Sequence, residues 1–284
     1  MPSDPLHRLS SRQRDLLEAW LPGLDVRADL SWGLVATTVL EIRAADGTHG
    51  IVKAGGPADH HIAREIRAHL NWLTPWTSAG LAPELLHHDR EAKVLVTRYL
   101  PGELVQGHPA EQEWETYRQA GRLLATLHGQ LAVLDTEFHA QQNARALAWL
   151  NGEHRIDAET AAELRTLIES WPTPPATVVP THGDWQARNW LIEGDQVRVI
   201  DFGRAALRPA ATDFARMAAR DFRGRADLEE AFLAGYGTDP REPEEWARTQ
   251  LREAIGTAAW AYLVGDEAFE AQGHRMLAEA LTAF

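Results

Sequence analysis

Asp184, Asn189 and Asp201 are the residues whose types and spacing could do chemistry. Asp184 stands in the stretch Thr181-His182-Gly183-Asp184-Trp185-Gln186-Ala187-Arg188-Asn189, and Asp201 follows in Val199-Ile200-Asp201-Phe202-Gly203. Between them, Trp190-Leu191-Ile192 and Val197-Arg198-Val199-Ile200 flank Glu193-Gly194-Asp195, the pattern of a hairpin with a turn. A hairpin there returns Asp201 to the neighbourhood of Asn189, so three oxygen-bearing side chains converge. Two of them suit a hard cation such as magnesium, which takes oxygen ligands and keeps waters or phosphate oxygens for the rest of its shell. The third, a carboxylate, can orient or deprotonate a hydroxyl. This is the equipment of phosphoryl transfer, in which positioning and charge neutralisation do most of the work. A lone aspartate more often serves a turn or cap, but the spaced pair comes with a lysine in an apolar run and a glutamate on a helix.

Those supports lie upstream. Only Lys53 and Lys93 of the 28 basic residues are lysines. Lys53, within Ile51-Val52-Lys53-Ala54, reads as a compact ammonium that a planar arginine fork would not replace, whereas Lys93, in Arg90-Glu91-Ala92-Lys93, reads as a solvated charge. A short helix is expected over residues 11–20, then strands from Val26 to Ala54 interrupted at Ser31-Trp32-Gly33 and at the turn Ala45-Asp46-Gly47-Thr48. Gly55-Gly56-Pro57 precedes a helix over 58–73 with Ile62, Ile66, His69, Leu70 and Leu73 on one face and Glu65 at its edge. Strands follow near 85–88 and 94–100. Pro101-Gly102-Glu103 marks a hinge, after which helices are expected over 111–134, 158–171 and, with breaks near Gly224, 235–243 and Gly265, over 210–281. The fold class is therefore α+β, with a small antiparallel sheet and one main helix in residues 1–100 and a larger, mainly helical part in 101–284.

His182-Gly183-Asp184 with Asn189, then Ile200-Asp201-Phe202-Gly203, resembles the aminoglycoside phosphotransferase family, relatives of the protein kinases. The likeness extends from the Ser31 loop to the terminal helices. It implies a two-lobed, protein-kinase-like fold and transfer of the γ-phosphate of ATP, or of GTP, with Mg2+. By matching position it implies Asp184 as the base, Asn189 and Asp201 as magnesium ligands, Lys53 on the α- and β-phosphates with Glu65 paired to it, and His182 as a brace of the loop. Ser31, Trp32 and Gly33 fall at the nucleotide-covering loop, and Arg98, Tyr99 and Leu100 at the hinge that meets the purine. The resemblance also implies an acidic acceptor cleft in the helical part, for which Asp135, Glu137, Asp221, Asp266, Glu267 and Glu270 are candidates. The chain departs from the family in lacking a G-x-G-x-x-G run at the loop and in carrying Gln186-Ala187-Arg188 where a His-Pro-Gly-like run is usual. Arg188 is read as an exposed arginine, with neutralisation of the transferring phosphoryl group as the alternative, and Asp213 as a structural anchor.

Composition narrows the partners. The net charge of −13 disfavours a phosphate backbone, so nucleic acid is not expected, and it favours small cations. No apolar run reaches the roughly 18 residues that a membrane helix needs. The polar stretch from Met1 to Arg14 shows no signal-peptide core and there is no cysteine, so a cytoplasmic enzyme is expected. Adjacent histidines at 60–61 and 87–88 point in different directions and make no zinc site. Trp20, Trp72, Trp114, Trp149, Trp246 and Trp260 are read as helix packing, and Trp32, Trp185 and Trp190 as flanking the site, with Trp190 favoured as the start of a buried strand. The acceptor expected is a small cationic, hydroxyl-bearing molecule: an aminoglycoside, a tuberactinomycin-type peptide antibiotic, or a metabolite such as choline, homoserine or methylthioribose. A nucleotide or antibiotic binder without turnover is the non-enzymatic alternative.

Overall fold

A computed structural model of the chain describes residues 5–32 and 37–284. In chain order it contains α1 (Ser11–Trp20), β1 (Asp25–Asp29), β2 (Thr38–Arg43), β3 (His49–Ala54), α2 (His61–Asn71), α3 (Thr74–Thr77), β4 (Leu85–Asp89), β5 (Val94–Arg98) and β6 (Glu103–Leu104). There follow α4 (Trp114–His128), β7 (Val133–Asp135), α5 (Phe138–Asn151), α6 (Ala158–Ser170), β8 (Ala176–Thr181), β9 (Trp190–Glu193) and β10 (Gln196–Val199). The chain ends with β11 (Ala206–Arg208), α7 (Ala215–Ala219), α8 (Ala226–Tyr236), α9 (Pro243–Val264) and α10 (Glu267–Leu281). Two compact units result. One comprises the described residues up to Leu127 with His182–Ala206 and Asp227–Tyr236; the other comprises His128–Thr181, Leu207–Ala226 and Gly237–Phe284.

The first unit is built on an antiparallel sheet in the order β1-β2-β3-β5-β4. Side chains alternate along β3: Val52 and Ala54 join Leu40, Ile42, Val94 and Val96 in a core that Leu9, Leu17 and Leu21 close from the α1 side. Period two then turns Lys53 to the other face, where Leu95, its partner on β5, packs on Ile62 and Ile66 of α2. A capping box starts α1, with Gln13 N donating to Ser10 Oγ at 3.3 Å and Ser10 N donating to Gln13 Oε1 at 2.9 Å. Helix α2 starts at His61, later than expected from residue 58, with Ile62 N of its first turn donating to Asp59 Oδ1 at 2.9 Å.

The β9–β10 hairpin pairs Trp190 with Val199 and Glu193 with Gln196, and β6 lies along its other edge. Gln119 of α4 holds the hairpin, receiving Val197 N at 3.0 Å and donating to Asp195 O at 2.7 Å. Helices α4 and α8 approach closely because Gly121 and Gly235 meet the backbone carbonyls of Phe232 and Arg118 where a side chain would stand.

The second unit packs α5, α6, α9 and α10 around Leu150, Leu164, Ile168, Leu251, Ile255 and Leu277. Strand β7 pairs with β8, Val133 opposite Val178 and Asp135 opposite Ala176. This corrects the helix expected over 111–134, which stops at His128 before Gly129. Helix α5 was not anticipated from the sequence: two of its five buried residues, His139 and Asn143, are polar, which breaks the apolar period. Trp114 is exposed instead of packing a helix interface. Lys93 is also not a free solvated charge, since its Nζ donates to the carbonyls of Pro57 and Asp59 and pins the turn ahead of α2.

Candidate active site

Strand β3 and helix α2 position the first pair. Lys53 Nζ donates to Glu65 Oε1 and Oε2 at 2.9 and 3.0 Å and to Asp201 Oδ1 at 3.0 Å. Glu65 is 3% exposed, whereas the Asp201 side chain is about half exposed. Burial alone would lower the pKa of Lys53, but the charges of Asp201 and Glu65 overcome it and hold the ammonium above the ordinary lysine range. The charge of Lys53 in turn holds the Asp201 carboxylate below its usual value, while burial raises Glu65 despite Lys53.

Asp201 has φ of +66°, a left-handed conformation uncommon for a residue with a side chain. Such strain persists only where the surroundings over-determine it, and here they do. Ile200 N donates to Asn189 O at 3.0 Å, the Ile200 carbonyl accepts from His182 Nε2 at 3.1 Å, and the Gly203 carbonyl accepts from His61 Nδ1 at 2.9 Å. Phe202 is fully buried against His182, Trp76 and His69, with ring centroids 5.1, 5.9 and 5.6 Å away.

The second half of the site is the loop before β9. Asp184 is buried, accepting from Gln186 Nε2 at 2.5 Å through Oδ1 and from Arg188 Nη2 at 2.7 Å through Oδ2. Asn189 Nδ2 donates to the Asp184 carbonyl at 2.7 Å, which commits its amide nitrogen and leaves its carbonyl oxygen as the group a cation would use. His182 receives Asp184 N on Nδ1 at 3.3 Å, so with Nε2 donating to the Ile200 carbonyl it bridges the two motif segments. Because Asn189 pairs with Ile200 just beyond the Trp190–Val199 pair, Asn189 and Asp201 leave the same end of the hairpin. Among the described residues no three His, Asp or Glu side chains form a preset metal cage. A half-exposed carboxylate beside a carbonyl oxygen instead fits magnesium, which draws much of its shell from phosphates and water.

The profile of APH, the phosphotransferase enzyme family, matches residues 51–250. The chain belongs to that family. No curated protein matches the sequence. Among solved structures, a macrolide 2′-phosphotransferase type I is 19% identical with a TM-score of 0.62, covering 95% of this chain and 98% of its own. A thermostable aminoglycoside phosphotransferase APH(4)-Ia in ternary complex with AMP-PNP and hygromycin B is 16% identical with a TM-score of 0.67, covering 96% and 98%. The choline kinase LicA from Streptococcus pneumoniae is 12% identical with a TM-score of 0.65, covering 97% and 100%. The fold is thus the kinase-like α+β fold expected from the motifs.

Within this phosphotransferase, the other candidate residues are placed as follows. Ser31 Oγ accepts from Val39 N at 2.9 Å and from Arg8 Nη2 at 3.1 Å, so it anchors the β1–β2 loop. Trp32 is half exposed with the Arg188 guanidinium 5.9 Å over its ring, and Gly33 lies outside the described residues. At the expected hinge segment, Tyr99 N donates to His49 O at 2.9 Å and its ring stacks on His49, while Arg98 pairs with Glu84 at 2.9 Å. The candidate acceptor carboxylates are spread over the segment after α7, α10, and the β7–α5 turn, where Asp135 Oδ1 accepts from Glu137 N at 2.9 Å. Asp266 caps α10 by accepting from Phe269 N at 3.0 Å, Glu267 is exposed, and Glu270 is buried and bonded to Arg155 at 3.2 Å. Asp221 is half-buried beyond α7. Asp213 is buried against His128 Nε2 at 3.1 Å.

Proposed function

We propose that this phosphotransferase moves the γ-phosphate of ATP to a hydroxyl of a small cationic molecule, and that the physiological outcome is inactivation of an antibiotic. One observation carries the reaction: Lys53 is shared between Glu65 and Asp201, so the strand, the helix and the hairpin that a nucleotide-phosphate site requires are already joined around one ammonium. Residues 1–100 supply the nucleotide-binding lobe, with Ser31, Trp32 and Gly33 covering the nucleotide and Arg98, Tyr99 and Leu100 at its purine edge. Lys53 engages the α- and β-phosphates, positioned by Glu65. Asn189 and Asp201 hold Mg2+, which when bound neutralises the phosphate charge. Asp184 aligns the acceptor hydroxyl and takes its proton, with His182 bracing the loop. The acceptor approaches from residues 101–284, where Asp221, Asp266, Glu267 and Glu270 are candidates to meet its cationic groups.

A metabolic kinase is the second reading, favoured by the choline kinase likeness at nearly full coverage. Both readings are separated by incubating the protein with ATP, Mg2+ and two panels. One holds aminoglycosides, macrolides and tuberactinomycin-type peptides; the other holds choline, homoserine and methylthioribose. Mass spectrometry then identifies any product heavier by one phosphoryl group. Product only in the metabolite panel overturns the resistance reading, and product in neither, with no ADP released, leaves a binder without turnover. With the acceptor in hand, Asp184→Asn lowers kcat by about 10²- to 10⁴-fold while nucleotide binding persists.

A further inference from the structure

We infer that Arg188 is a catalytic residue whose guanidinium holds the transferring phosphoryl group while remaining bonded to Asp184. The inference rests on the phosphotransfer reading above and decides between the two readings that the sequence leaves open for this residue. Its side chain is only 33% exposed, and Nη2 donates to the buried Asp184 Oδ2 at 2.7 Å. Of its five N–H donors this is the one bonded among the described residues, where the guanidinium carbon also lies 5.9 Å over the ring of Trp32. A planar fork anchored by one N–H presents the others in fixed directions, which suits phosphate oxygens.

Proximity follows from Asp184. A base lies about 2.6–3.2 Å from the hydroxyl it serves, and that hydroxyl oxygen lies about 3–3.5 Å from the phosphorus it attacks. A guanidinium bonded to the same carboxylate therefore stands beside the reacting atoms. Charge points the same way. Lys53 is already bonded to two carboxylates, Glu65 and Asp201, and the charge of Asp184 also reaches Asp201. Arg188 is a further cation bonded to this group of carboxylates. In the step itself, the acceptor oxygen forms a bond to the γ-phosphorus and the bond from phosphorus to the β,γ-bridging oxygen breaks. Its electron pair stays on ADP, the acceptor proton passes to Asp184, and the charge on the three phosphoryl oxygens is held by the free N–H groups of Arg188.

The test uses the full chain and needs no acceptor. Calorimetry measures the affinity for Mg·ADP with and without aluminium fluoride, whose complex with ADP imitates the planar phosphoryl group. The protein should bind Mg·ADP more tightly with fluoroaluminate present. Arg188→Gln should lose about tenfold or more of that tightening while binding Mg·ADP alone within about twofold. Arg188→Lys, which keeps the charge without the fork, should retain part of it. A fully preserved tightening in Arg188→Gln overturns the role. So does an equal loss of both affinities, which a merely structural arginine would give, and so does an unaltered protein that binds Mg·ADP without tightening. Failure of the unaltered protein to bind Mg·ADP would instead remove the phosphotransfer reading itself, and the role of Arg188 with it.

Discussion

Glu65 and His69 stand one helical turn apart on the buried face of α2, and each leads to a stability measurement. Lys53 compensates Glu65, which is almost fully buried. Replacing Lys53 with Met strands that carboxylate and should cost about 3 kcal/mol in denaturant unfolding, because an uncompensated buried charge is more costly than the pair. The double replacement Lys53→Met with Glu65→Leu should recover much of the loss. Burial already raises the Glu65 pKa. Without Lys53 the folded state binds its proton more readily than the unfolded state, so the loss in Lys53→Met shrinks as pH falls. His69 works with the opposite sign. Burial and the charge of Lys53 push its pKa down to about 3, and neither ring nitrogen meets a partner among the described residues. Below about pH 6.5 the unfolded chain takes up a proton that the folded chain refuses. The stability due to this group is therefore full at neutral pH and falls by about 2 kcal/mol on going to pH 5. His69→Leu, which keeps the contact with Phe202 apolar, should flatten that part of the pH dependence; an unchanged slope would show that His69 is not its source.

Helix packing and strand pairing give the next level. Gly121→Ala would place a methyl group 2.1 Å from the Phe232 carbonyl oxygen, and Gly235→Ala one 1.9 Å from that of Arg118. Each should destabilise by about 1–3 kcal/mol, since backbone cannot give way as a flexible side chain does. Gly256→Ala in α9 meets only Trp149 atoms at 3.7 Å and should stabilise by about 0.5–1 kcal/mol through helix propensity, so the three variants separate close approach from propensity in one denaturation series. The same contrast explains what the sequence made legible. Strands β2, β3 and β5, and the β9–β10 hairpin, announce themselves by β-branched runs and Gly-containing turns, and they carry Lys53, Asn189 and Asp201. Helix α5 does not, because His139 and Asn143 occupy its buried face. The Arg188–Asp184 bond was also illegible, although the two lie four residues apart, because the spacing alone does not reveal that the carboxylate is buried and the arginine turned back onto it.

At the scale of the whole molecule, the phosphotransferase family was readable and the acceptor was not. The motifs point to the family, whereas the structural neighbours at 12–19% identity are a macrolide phosphotransferase, an aminoglycoside phosphotransferase and a choline kinase, so the likeness singles out no acceptor. Many carboxylates of the second unit are already engaged, Glu270 with Arg155, Glu253 with Arg216 and Asp239 with Arg241, so they do not by themselves mark a cation site. What the molecule offers a cationic acceptor at a distance is its net charge of −13. That field reaches about 30 Å at 0.01 M ionic strength and about 8 Å at 0.15 M. The KM of a cationic acceptor should therefore rise several-fold over that interval while its kcat changes little, because encounter is screened and the bonded site is not. Mg·ATP, itself negative, should gain from the same screening, so its KM should move the opposite way. Steady-state kinetics across a salt series measures both at once. An acceptor KM that stays flat would mean that the preferred acceptor is neutral, and would sink the expectation of a cationic one.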